Sequence, residues 1–118
     1  MRGDVFRLRA PRGTRGHEQQ VSRYAVVVQS DHNNVRLTNS IFAMATSNTR
    51  LAAVEPAQVF IDVATPDGQA SGLSRSSAVK CENLYTLPQA IVVRTIGRLS
   101  PALMQQVDDA LKASLALP

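Results

Sequence analysis

The sequence predicts a mainly β fold that ends in one α-helix, and three observations carry that prediction. Short apolar runs rich in Val, Ile, Ala and Phe recur across residues 4–99. Each is bounded by Gly, Pro, Asn, Asp or Ser clusters, the punctuation of strands and turns. Only after Ser100 does the apolar spacing lengthen to four residues, the signature of a helix.

The elements follow in order. Residues 4–8 alternate charged and apolar side chains and predict a half-exposed strand. Residues 10–20 carry Pro11, Gly13 and Gly16 among polar groups and predict a long, arginine-bearing loop. Tyr24-Ala25-Val26-Val27-Val28 is a continuous β-rich run, expected to be a central strand. Asp31-His32-Asn33-Asn34 reads as a turn, residues 40–45 as the next strand, and Thr46-Ser47-Asn48 as its end. In residues 58–63, Val59, Ile61 and Val63 share one strand face. Thr65-Pro66-Asp67-Gly68 reads as a turn, with two further strands over 76–80 and 91–99. Ser100-Pro101 pairs an N-cap with proline at the first helical position, and Leu103, Val107, Leu111 and Leu115 form the apolar stripe of the helix. Short strands separated by turns, with one packed helix, fit a compact barrel.

The 118 residues suit one domain spanning 1–118, and 44% hydrophobic against 19% charged residues is the balance of a folded chain. A lone cysteine, Cys81, makes no internal disulfide. Arg2, Asp4 and Arg7 interrupt any secretory apolar run, so a cytoplasmic location is expected. No stretch approaches the ~20 apolar residues of a membrane span. The formal charge of +4 lies entirely in residues 1–36, where seven arginines face three acidic groups, while the remainder is balanced. Such asymmetry suits a polyanionic partner.

Several catalytic kits are eliminated. His17, His32 and Cys81 share no metal-ligand spacing, and no glycine-rich phosphate loop is present, so no metal and no cofactor are expected. Cys81, in Ala78-Val79-Lys80-Cys81, reads as a buried, inert thiol. The polar groups that remain are Gly16-His17-Glu18-Gln19, Arg23, Thr46-Ser47-Asn48 and Lys80-Cys81-Glu82.

In these groups the chain resembles the MazF/PemK toxins. Met1-Arg2-Gly3-Asp4-Val5-Phe6 and Gly16-His17-Glu18-Gln19-Gln20 match the family's opening strand and loop. Arg23 falls on its arginine, Thr46-Ser47 on the threonine that ends a long strand, and Gly97-Arg98-Leu99-Ser100 on the entry to the last helix. Val21 and Tyr24 depart from the common glycine and proline. The resemblance implies an SH3-like barrel, a homodimer, and metal-independent cleavage of single-stranded RNA to a 2′,3′-cyclic phosphate and a 5′-hydroxyl. It also implies a cognate antitoxin protein, expected to insert an acidic, partly disordered segment.

That chemistry uses the RNA's own 2′-hydroxyl as nucleophile, so the protein supplies only proton transfer and positive charge. Arg23 is the expected phosphate cation and Thr46 a hydroxyl donor, with Glu18 and Glu82 as candidate bases. Arg15, His17, Gln19, Ser47, Asn48 and Lys80 are expected to contact RNA. Lys80 and Glu82 resemble the Arg-x-Asp pair of the PemK branch. The alternative is a toxin of the same barrel that poisons DNA gyrase by binding, but those resemble one another in a C-terminal tryptophan, and this chain has no tryptophan. A plain SH3-like adaptor should show an aromatic groove, and aromatics are only 4%.

Overall fold

The computed structural model describes residues 1–9 and 22–118. The arginine-bearing loop expected over residues 10–20 lies outside them. The strands are β1 (Asp4–Arg9), β2 (Ser22–Val27), β3 (Asn39–Thr46), β4 (Gln58–Ile61), β5 (Ser77–Pro88) and β6 (Val92–Arg98). The helices are α1 (Asp31–Arg36), α2 (Pro66–Ala70) and α3 (Pro101–Leu115), with a single 3-10 turn at Gln89–Ile91. All six strands form one antiparallel sheet in the order β4-β5-β3-β2-β1-β6.

The mainly β architecture with a C-terminal helix is as expected, but the barrel is not closed by hydrogen bonding. Among the described residues no ladder joins β4 to β6. The gap is spanned instead by the segment after α2. Gly72 takes φ +78°, and a Cβ there would overlap the carbonyl oxygen of Ile96; one on Gly97 would overlap the carbonyl of Ser71. Glycine at both positions lets two backbones touch, and so ties the β4 side of the sheet to β6.

The sheet's two faces carry separate clusters because side chains alternate along each strand. Val5, Val26, Ala43, Val59, Ile61 and Val79 pack with Leu103, Val107 and Ala110 of α3. Leu8, Ala25, Val27, Phe42 and Met44 form the second cluster on the opposite face. Ser100 caps α3 by accepting a hydrogen bond from Leu103 N–H at 3.2 Å, worth about 1 kcal/mol. Leu115 is exposed, while Ala110 takes a buried place in the stripe. A strict four-residue repeat drifts by about 40° per step around a helix of 3.6 residues per turn, and by Leu115 it has left the core face.

Four expectations are corrected. The turn at residues 31–34 is a short helix, capped by Ser30, with no buried residue. Its carboxylate, Asp31, accepts from Arg2 N–H at 2.6 Å, which holds its pKa below the ordinary value. The turn at 65–68 is also helical: Thr65 accepts from Gly68 N–H at 3.0 Å, and Pro66 opens the helix. The strand expected over 58–63 stops at Ile61, and the one expected over 76–80 runs to Pro88. Within β5, Met44 faces Lys80 and Ala43 faces Leu84, so residues 81–83 bulge from the ladder and bend the strand.

Because Gly72 sits in the left-handed region against β6, Gly72→Ala should cost at least the ~1–3 kcal/mol of a strained backbone. The midpoint of denaturant unfolding should fall accordingly, and a variant as stable as the parent would refute the contact's importance.

Candidate functional site

The site is built where β2 and β3 run out. Tyr24 pairs with Ala45, and one further step in that register sets Arg23 opposite Thr46. Directly opposed residues share a sheet face, so an exposed guanidinium and a hydroxyl project together. Thr46 also pairs with Ala78, which brings the start of β5 alongside.

Thr46 Oγ1 accepts from Asn48 N–H at 3.1 Å, and Asn48 Oδ1 accepts from Arg50 N–H at 3.2 Å. The turn is thus held by its own side chains, and the Thr46 hydroxyl proton is left to donate outward. Arg23 makes no ion pair among the described residues.

Two clefts meet at Thr46. The larger, of about 420 Å³, is lined by Arg23, Thr46, Ser47, Ser74, Arg75 and Ser77, among others. The smaller, of about 90 Å³, adds Asn48, Arg50, Gln58 and Lys80. Among the described residues, Arg23 and Arg75 border the larger cleft and Arg50 and Lys80 the smaller, a cationic path on either side of one threonine.

The expected residues are distributed unevenly over this geometry. Arg23, Thr46 and Ser47 share the larger cleft, while Asn48 and Lys80 share the smaller one. Glu82 lines neither. It is exposed on the bulge of β5, where its carboxylate accepts from the Gln58 side-chain amide at 2.9 Å, and it makes no ion pair with Lys80. Arg15, His17, Glu18 and Gln19 lie outside the described residues.

Arg75, Ser74 and Arg50 were not legible as site residues. The available signal was an arginine set among serines immediately before a strand. Conversely, Arg2, counted in the basic excess, is committed elsewhere: its guanidinium donates to Asp108 at 2.6 Å and to the Val28 carbonyl at 2.9 Å. Among the described residues no three His, Cys, Asp or Glu side chains converge as a metal site requires. Cys81 is fully buried, and desolvation, reinforced by the charge of Glu82, pushes its thiol up to about 12.

Fold and site together describe a small β protein that presents cations and hydroxyls from its strand ends to a cleft of about 420 Å³. The chain belongs to the PemK-like, MazF-like toxin family of type II toxin–antitoxin systems, whose model matches residues 1–115. It is 30% identical to endoribonuclease MazF9 of Mycobacterium tuberculosis, over 98% of this chain and 96% of the relative. It is 35% identical to endoribonuclease MazF6 of the same species, over 86% and 85%, and 31% identical to endoribonuclease EndoA of Bacillus subtilis, over 86% and 83%. Its fold is that of solved relatives. A mycobacterial endoribonuclease in complex with its cognate antitoxin superposes with a TM-score of 0.75 at 22% identity, covering 100% of this chain and 96% of the other. A MazE-MazF structure from Deinococcus radiodurans gives 0.74 at 18%, covering 98% and 95%.

Since a thiol this depressed in acidity is neutral and enclosed, Cys81 should resist a thiol-specific chromogenic reagent in the native protein and react fully after denaturation. Rapid stoichiometric labelling of folded protein would contradict the burial.

Proposed function

We propose that this chain is the toxin of a type II toxin–antitoxin pair, a cytoplasmic endoribonuclease that cuts single-stranded RNA without a metal ion. The observation that carries the proposal is that Arg23 and Thr46, one register step beyond the Tyr24–Ala45 pair, line one cleft. The names of its relatives favour cleavage over the gyrase-binding alternative.

The RNA 2′-hydroxyl attacks the adjacent phosphorus. A carboxylate takes its proton as the O2′–P bond forms; the P–O5′ bond breaks and the departing O5′ takes up a proton from solvent water, which leaves a cyclic phosphate and a 5′-hydroxyl. Negative charge accumulates on the two non-bridging oxygens, where the planar Arg23 fork and the Thr46 hydroxyl donate. Arg23 acts through charge rather than as an acid, because guanidinium does not give up its proton at neutral pH. Glu82 is engaged by Gln58 outside the larger cleft, which favours Glu18 as the base. Arg15, His17, Gln19, Ser47, Asn48 and Lys80 hold the RNA strand. A cognate antitoxin covers the same cationic path with an acidic segment.

Purified protein incubated with a mixed-sequence RNA should release 5′-hydroxyl ends, and chelator should leave the rate unchanged. Arg23→Ala and Thr46→Ala should each slow cleavage by roughly 10²–10³, the cost of losing one oxyanion donor. The double variant should lose less than the product, since both serve one transition state. Cleavage by Arg23→Ala within about threefold of the parent would remove Arg23 from the role.

The chain is also proposed to act as a homodimer, because the sheet has two edge strands, β4 and β6, and exposes Phe60, Tyr85 and Val93. Light scattering should give twice the 12.8 kDa chain mass. An RNA-cutting monomer at micromolar concentration would disprove it.

A further inference from the structure

We propose that Arg75 holds the RNA phosphate next to the scissile one, so that it sets how tightly and in what register the strand lies in the cleft. The proposal rests on the nuclease reading of this site and adds to it a second phosphate position.

The cleft that contains Arg23 and Thr46 also contains Arg75, with the Ser74 and Ser77 side chains beside it. Its volume of about 420 Å³ falls in the ~300–1,000 Å³ range of sites for small organic ligands. That is more room than one phosphate needs. The neighbouring cleft with Arg50 and Lys80, at about 90 Å³, is too small for a second nucleotide unit. Among the described residues, a strand entering at Arg23 therefore finds space for its next phosphate on the Arg75 side of the same cleft.

The backbone that carries Arg75 is fixed on both flanks. Ser77 Oγ donates to the Arg75 carbonyl at 2.8 Å, and Val63 N–H donates to Ser76 Oγ at 3.2 Å. On the other side, Leu73 N–H donates to Ser71 Oγ at 3.2 Å, the Leu73 side chain is buried, and Gly72 is pressed against Ile96. Only the exposed side chain of Arg75 needs ordering on binding, so a bidentate grip on phosphate costs little backbone entropy. Among the described residues no carboxylate pairs with it. An acidic antitoxin segment would match the same fork, but sharing one cleft with Arg23 and Thr46 favours RNA.

The test compares the parent, Arg75→Ala and Arg75→Lys on one RNA that contains a mapped cleavage site. Arg75→Ala should raise KM about tenfold with kcat within about twofold, since it removes binding common to ground and transition states. The slope of log(kcat/KM) against log salt should become shallower by about 0.7, one single-strand phosphate contact, and Arg75→Lys should restore that slope. A methylphosphonate placed one nucleotide from the scissile phosphate, on one side only, should weaken binding to the parent and leave Arg75→Ala indifferent. An unchanged KM and salt slope, or a fall in kcat alone, overturns the proposal even though the parent cuts RNA. Loss confined to binding of an acidic antitoxin peptide also overturns it, by assigning Arg75 to the other partner. A parent protein that cuts no RNA sinks the nuclease reading, and this one with it.

Discussion

The contact on which this molecule most depends is a touch between two stretches of backbone, Ser71-Gly72 against Ile96-Gly97. The six-stranded sheet is open as a hydrogen-bonded object, with β4 and β6 at its edges. An open sheet this short would leave both edges to solvent and its end strands free to splay. The side-chain-free approach of the two segments draws the edges toward each other without a ladder. It also sets the wall of the cleft, because the same segment continues through Leu73 into Ser74 and Arg75. Closing the fold and positioning the site's far side are one event.

A second organising element is Arg2, and it changes how the basic character of the chain is understood. Its main-chain N–H binds Asp31 of α1 while its guanidinium binds Asp108 of α3 and the Val28 carbonyl. Three segments distant in sequence are thereby joined at the N-terminus. This part-buried arginine fixes the relative placement of those segments. Of the seven arginines in residues 1–36, this one thus has its guanidinium engaged within the fold. Among the described residues, the cations that border the clefts are Arg23 from that same stretch and Arg50, Arg75 and Lys80 from the nominally neutral remainder.

Strands and the last helix were legible because their signals are periodic and local. The Ser100-Pro101 start and the stripe through Leu103 and Val107 needed no tertiary information. The two short helices were not legible for opposite reasons. In α1 no residue is buried, so it has no apolar period to find; it stands on its Ser30 cap and the Asp31–Arg2 bond. In α2 the Thr65-Pro66 start repeats the Ser100-Pro101 signal, but one turn is too short to show a stripe. The full length of β5 was hidden because Glu82 and Asn83 interrupt the apolar run, and only the bulge opposite Ala43 and Met44 explains how a strand continues past them. Arg23 and Thr46 were found through family motifs and are brought together by register. Arg75 belongs to no such motif, and its place follows from a fold-level contact that no local pattern encodes.

The arrangement of polar groups separates the chemistry from the scaffold. Thr46, Asn48 and Arg50 are linked within a single turn, and Ser71, Leu73, Arg75 and Ser77 within a single connection. The first network stays clear of the clusters on the two sheet faces and the second meets them only through the buried Leu73 side chain, so an exposed site side chain can be altered with its own neighbours as the main casualty. The reverse does not hold. Displacing Gly72 from β6 would move the Arg75 wall away from the β2–β3 end that carries Arg23 and Thr46. A transition state held by preorganised donors loses most of its stabilisation when those donors must be reassembled on demand. Rigid backbone contact between the sheet edges is therefore the structural condition for the chemistry proposed for Arg23, Thr46 and a carboxylate.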